Sequence, residues 1–298
     1  MTSSNNPIFQ GVATALITPF KDQKLDITAY KKLLQQQILS GINALVLCGT
    51  TGESATLTEK ECATLLATAQ DEIGTQLPLI MGCGGNDTAT VLKKSREAAA
   101  HGADALLIVT PYYNKGTKRG IIHHYLSVAE SVDVPIILYN VPSRTGVDLS
   151  LDMIEELAMH PNIVAIKEAS GNIDRIAQII QKSDKNFSLY SGNDSQILPI
   201  LSLGGKGVIS VVSNILPSQT SQLCRSFFEG DIKNACRLQL KLLPLIQLLF
   251  TETNPAPIKA AMSIAGISQN ELRLPMATIE APLFENIKEK LLPLLQDE

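Results

Sequence analysis

A lysine stands inside the apolar run Ile163-Val164-Ala165-Ile166-Lys167-Glu168-Ala169, a segment whose β-branched content and length predict a buried strand. Lysine is among the residues least often buried, because low dielectric disfavours its charged form. A neutral lysine amine is a nucleophile that forms imines with carbonyl compounds. Three further groups suited to that chemistry lie at or beyond the ends of other strand-like runs. One is the turn Gly49-Thr50-Thr51-Gly52-Glu53; the second is Pro111-Tyr112-Tyr113-Asn114; the third is Tyr139-Asn140-Val141-Pro142-Ser143-Arg144. Hydroxyls can carry protons to and from a carbinolamine, the backbone N–H groups of a tight Gly-Thr-Thr-Gly turn can hold a carboxylate, and a guanidinium can grip a second one bidentately.

Period-two alternation predicts which of these groups meet. It sets Tyr139 on the face of Ile137, Thr50 on the face of Cys48 and Val46, and Lys167 on the face of Ala165 and Ile163. Glu168 has the opposite parity and is not expected to partner Lys167.

The positioning elements are eight strand-like runs, most of them separated by helical stretches: Gly11–Pro19, Ala44–Thr50, Pro78–Gly84, Ala105–Thr110, Pro135–Asn140, Ile163–Ala169, Phe187–Gly192 and Gly207–Asn214. That alternation predicts an α/β fold, a (β/α)8 TIM barrel, in which function gathers at the C-terminal ends of the strands. Asp26 is a helix cap, Thr58 with Glu61 a capping box, and His101-Gly102 and His160-Pro161 are helix stops. From Asp231 onward only helical pattern remains, broken at Asn254-Pro255-Ala256-Pro257 and at Leu274-Pro275. The expected division is a catalytic barrel over 1–230 and a small C-terminal helical domain over 231–298. An open dinucleotide-binding sheet is disfavoured, since no Gly-x-Gly-x-x-Gly follows the first strand.

Composition narrows the function further. The net charge is −4, without a Lys/Arg block, so no nucleic-acid footprint is expected. The five cysteines include no Cys-x-x-Cys pair, which disfavours a disulfide framework and a zinc site; Cys48 and Cys83 are expected inside strands. His123-His124 point in different directions on a helix, so no metal is expected. Gly204-Gly205-Lys206-Gly207 precedes a strand, on the face opposite the chemistry, and reads as a tight turn. Met1–Gln10 has neither a basic start nor an apolar stretch, and Leu242–Phe250 is too short to span a bilayer, so no membrane association and a cytoplasmic location are expected.

Gly49-Thr50-Thr51-Gly52-Glu53, Tyr112-Tyr113, the segment Tyr139 to Gly146 and Ile166-Lys167-Glu168 together closely resemble the dihydrodipicolinate synthase family, one of the pyruvate-dependent class I aldolases. The resemblance extends through Ser191-Gly192-Asn193-Asp194 and Gly207-Val208-Ile209-Ser210 to Asn254–Lys259. It implies a Schiff base between Lys167 and pyruvate, whose enamine condenses with aspartate 4-semialdehyde in the committed step of lysine and diaminopimelate biosynthesis. It further implies that Thr50, Tyr113 and Tyr139 relay protons, with Tyr113 supplied by a neighbouring subunit. Thr51 matches the pyruvate carboxylate site, Gly192 and Ile209 line the same pocket, and Arg144 holds the semialdehyde carboxylate. The covalent imine takes the place of a cofactor, and a homotetramer built as a dimer of dimers is implied.

The resemblance also marks an allosteric cleft at Ser54, Ala55, Glu59, Asn86 and Tyr112, where the chain departs from lysine-inhibited members: Glu59, Cys62 and Thr90 stand where those have histidines and a glutamate. Two alternatives remain open. One is a pyruvate-dependent aldolase for a sugar-derived aldehyde, of the N-acetylneuraminate lyase or sugar-acid aldolase type, which generally lacks the arginine. The other is a non-catalytic barrel, which loss of the lysine or tyrosines would favour.

Overall fold

The structure, a computed structural model, describes residues 7–184 and 186–298, so the reading of Met1–Gln10 lies mostly outside the described residues. Eight parallel strands close into a barrel: β1 (Gly11–Ala15), β4 (Ala44–Leu47), β5 (Leu79–Gly82), β6 (Ala105–Val109), β7 (Ile136–Asn140), β8 (Ile163–Glu168), β9 (Ser188–Ser191) and β10 (Gly207–Ser210). The remaining strands, β2 (Phe20–Lys21) and β3 (Lys24–Leu25), form a small antiparallel hairpin after β1 that the sequence pattern does not reveal.

Helices α1 (Ile27–Leu39), α2 (Glu59–Ile73), α3 (Thr88–Ala100), α4 (Lys118–Ala129), α5 (Pro142–Thr145), α6 (Leu151–Ala158), α7 (Ile173–Lys182), α8 (Ile197–Ser202) and α9 (Pro217–Phe228) occupy the connections and the stretch after β10. Beyond them come α10 (Ile232–Leu249), α11 (Ala256–Ile264) and α12 (Ala281–Leu295). The expected caps form: the Asp26 side chain accepts from the Ala29 N–H, and Thr58 and Glu61 make a reciprocal capping box.

The barrel strands are apolar on both faces, as parallel strands covered by helices must be. Inward-facing Ala13, Ala15, Ala44, Ala105 and Ala165 share the interior with the larger Val46, Ile80, Leu107, Ile137 and Tyr139, and this mixture of sizes fills the barrel. Phe9, just before β1, stacks on Tyr190 with ring centroids 4.1 Å apart and plugs the N-terminal mouth. The opposite mouth is left for chemistry.

Most of the expected strands run too long at their C-terminal ends. β4 stops at Leu47 and β5 at Gly82, so Cys48 and Cys83 lie just beyond strands rather than inside them. The apolar signal continues because the loops above the barrel are themselves buried; Val212–Asn214, for instance, form a buried 3-10 turn. Ile163 packs in the outer core although it shares parity with the inward Ala165, because register shifts against β7 at Ile136/Ile137. Among the described residues, no helix is long and apolar enough to cross a membrane.

Candidate active site

Lys167 and Tyr139 are direct register partners on β8 and β7. Both are buried, and the Lys167 Nζ lies 4.2 Å from the centre of the Tyr139 ring. An ammonium over a phenol ring is attracted by the ring quadrupole. Among the described residues, no carboxylate stands within ion-pair distance of Lys167. Glu168 points the other way. It is fully buried, accepts from both Asn140 Nδ2 (3.0 Å) and the Ser170 N–H (2.7 Å), and pairs with Arg175.

Thr50 reaches the same place by a different route from the one alternation predicts. Cys48 takes a left-handed backbone (φ 52°) and turns its side chain into the outer core, ending the pleat. The chain then folds into a turn in which the Gly52 and Ser54 N–H groups donate to the Gly49 carbonyl and the Glu53 N–H donates to that of Thr50. Gly82 admits this turn: a Cβ there would lie 2.3 Å from the Cys48 carbonyl oxygen. The N–H groups of Thr50 and Thr51 have no partner among the described residues. Two free amides and the Thr51 hydroxyl are groups of the kind that can hold an anion.

A small cavity of about 40 Å³ is lined by Thr50, Thr51, Tyr139 and Lys167, and shares Thr50 and Ser54 in its lining with a cleft of about 380 Å³. Arg144, on the short helix α5, lines that cleft and donates from Nη2 to the Asn254 carbonyl at 2.9 Å. Asn254 also donates from Nδ2 to Thr51 Oγ1 at 3.0 Å, which leaves the threonine proton free for a ligand. One residue from beyond the barrel thus touches both carboxylate-binding candidates. It lies within a segment the resemblance covers, but no local pattern marks its role.

The other expected residues divide. Gly192 follows β9, where a Cβ would meet the Ala169 Cβ at 2.5 Å, and Ile209 belongs to the inner cluster with Tyr139 and Ala165. Neither lines the two cavities. Tyr113 is 89 % exposed and left-handed (φ 70°), and lines neither cavity of its own chain. Of the allosteric set, Ser54, Ala55, Glu59, Cys62 and Tyr112 line the cleft, whereas Asn86 and Thr90 do not. The Glu59 carboxylate is bonded to Lys93 at 2.7 Å through both oxygens, which holds its pKa below the usual range. Thr90 is tied to Asp87 at the start of α3.

Asp194 was not singled out by pattern. Its Oδ2 accepts the N–H groups of Val211 (3.0 Å) and Val212 (2.9 Å), just past β10, and burial pushes its carboxyl up, against the opposing pull of its hydrogen bonds and the Lys167 charge. His124 shares a hydrogen bond with Thr88 (3.0 Å), and among the described residues no group of His, Cys, Asp and Glu is placed to hold a metal.

The chain matches the Dihydrodipicolinate synthetase family over residues 8–294. It is 48 % identical over 276 residues to the 4-hydroxy-tetrahydrodipicolinate synthase of Methanococcoides burtonii, covering 92 % of this chain and 94 % of that protein. The crystal structure of dihydrodipicolinate synthase from Thermotoga maritima superposes with a TM-score of 0.95 at 40 % identity, covering 97 % and 99 % of the two chains. A chloride-inhibited dihydrodipicolinate synthase from Acinetobacter baumannii, complexed with pyruvate, superposes at 0.93 with 38 % identity, covering 96 % and 98 %. Because the match runs at this identity through the barrel and on through the C-terminal helices, the chain belongs to the dihydrodipicolinate synthetase family.

Proposed function

We propose that Lys167 attacks the carbonyl of pyruvate, expels water and holds the substrate as an imine, and that this site carries the 4-hydroxy-tetrahydrodipicolinate synthase activity of the family. The observation that carries the reading is the position of Lys167: buried in the cavity lining, over Tyr139, with no carboxylate among the described residues competing for its nitrogen. Loss of a methyl proton gives the enamine, which forms the new carbon–carbon bond to the aldehyde of aspartate 4-semialdehyde. The semialdehyde's own amine then displaces Lys167 as the ring closes.

Each neighbour has a task set by its chemistry. Thr51 and the free amides of the turn hold the pyruvate carboxylate. Tyr139 and Thr50 pass the protons of carbinolamine formation and breakdown. Arg144 grips the semialdehyde carboxylate, and it is the residue that favours this aldehyde over sugar-derived ones. The bound imine serves as electron sink, so the reading requires no metal or cofactor.

Tyr113 completes the relay of a neighbouring subunit, which requires at least a dimer, and the reading extends to a homotetramer built from two such dimers. The 1–230 barrel is the catalytic domain and 231–298 a helical domain packed on it. Five unpaired thiols suit the reducing cytoplasm.

The test is a product assay with pyruvate and each of three aldehydes. Aspartate 4-semialdehyde should be turned over far faster than N-acetylmannosamine or glyceraldehyde. Preference for either sugar aldehyde would replace the synthase reading with the aldolase one.

A further inference from the structure

Glu53 ends the catalytic turn, yet the chemistry above gives it no task. It holds a left-handed backbone (φ 56°), which a glutamate keeps only when its surroundings impose it, and it is 5 % exposed. Its carboxylate is met by two groups from far along the chain: the Lys259 ammonium on α11, as an ion pair, and the Arg273 N–H at 3.0 Å. Lys259 is fully buried, lies 4.1 Å from the centre of the Phe20 ring and donates to the Glu271 carbonyl at 2.8 Å. Arg273 adds bonds to the carbonyls of Thr56 (2.9 Å), just after the turn, and Gln23 (2.7 Å), in the β2–β3 hairpin, so that the far end of the turn and the hairpin are fastened to one C-terminal segment.

A buried ion pair is a poor stabiliser compared with well-packed apolar groups, because both charges are stripped of water. What it does supply is direction: the carboxylate has one position in which both donors reach it. Two and three residues before Glu53 are Thr51 and Thr50, whose free amides and, for Thr51, hydroxyl are assigned to the pyruvate carboxylate. We propose that Glu53, held by Lys259 and the Arg273 amide, is the positioning residue of that subsite, so that a segment outside the barrel sets the affinity for the 2-oxo acid. The inference rests on the assignment of Thr50 and Thr51 made above.

The test compares Lys259→Met, Glu53→Gln and the double variant with the parent enzyme. Each should raise the KM for pyruvate by about tenfold or more and slow borohydride trapping of sub-saturating pyruvate in proportion, while the KM for the semialdehyde moves less than about threefold. The double variant strands no charge, so its thermal midpoint should recover toward that of the parent while its pyruvate KM stays raised. Folded variants with the parental pyruvate KM would overturn the proposal. So would losses shared equally by both substrates, or confined to the active fraction, or failure of all three variants to fold, since each describes a pair that serves only the fold. Trapping in the parent enzyme on a lysine other than Lys167 would sink the site assignment instead, and is read separately.

Discussion

At the scale of single residues, Lys167 and Tyr139 are side by side because β7 and β8 pair in a register that aligns them. Their pairing could be read in outline from the strand pattern, since both follow inward apolar residues at a spacing of two. Arg144 is positioned by the four-residue helix α5, too short for a periodicity to show, and its chemistry suggests a carboxylate partner whose identity only the resemblance supplies. If it grips the semialdehyde, Arg144→Ala should lower catalytic efficiency toward that substrate by about ten- to 150-fold, the loss of a charge-assisted contact of about 1.5–3 kcal/mol. Trapping of pyruvate on Lys167 should be unaffected. Steady-state kinetics beside a trapping assay separates the two, and unchanged semialdehyde kinetics would return the sugar-aldehyde alternatives. Strand alternation alone would turn Thr50 inward, whereas the left-handed Cys48 breaks the strand and a turn brings Thr50 to the cavity wall.

At the scale of elements, the start of α2 shows what local pattern captures and what it omits. Thr58 and Glu61 are recognisable as a capping box from their types and spacing alone. That the Glu61 carboxylate is also gripped by both Arg273 Nη atoms, at 2.5 and 2.9 Å, is invisible locally, because the partner is 212 residues away. The Arg273 contact brings the Glu61 pKa down from 4.5 to about 2, with Thr58 adding to the effect and burial opposing it. A carboxyl with a depressed folded-state pKa adds stability that is present above its unfolded value and lost as pH falls through the folded one. Glu61→Gln should therefore lower the thermal midpoint at neutral pH, and its gap from the parent should close as pH falls from about 4.5 to about 2. Thermal melts across that range check it; a gap that stays constant would show that the charge contributes nothing. The same long-range character hides the hold of Asn254 and Lys259 on the catalytic turn.

At the scale of the whole molecule, the barrel is legible because short apolar runs alternate with capped helices, and the apolar runs extend past the strand ends because buried loops carry the same apolar signal. The single chain leaves one proposed relay member outside its own cavity: Tyr113, at 89 % exposure. If it serves a neighbour, Tyr113→Phe and Lys167→Ala subunits, each nearly inactive alone, should regain activity when co-assembled. The restored site would draw its tyrosine from one chain and its lysine from the other. Hybrids confirmed by mass but still inactive would place the tyrosine's role within its own chain.

All three scales converge on one covalent bond. Incubating the enzyme with pyruvate and borohydride, then mapping peptides by mass, tests that bond most directly. The account predicts irreversible inactivation together with the mass of a reduced pyruvyl group on the peptide containing Lys167. Label on any other lysine, or full activity with Lys167 unmodified, would contradict it.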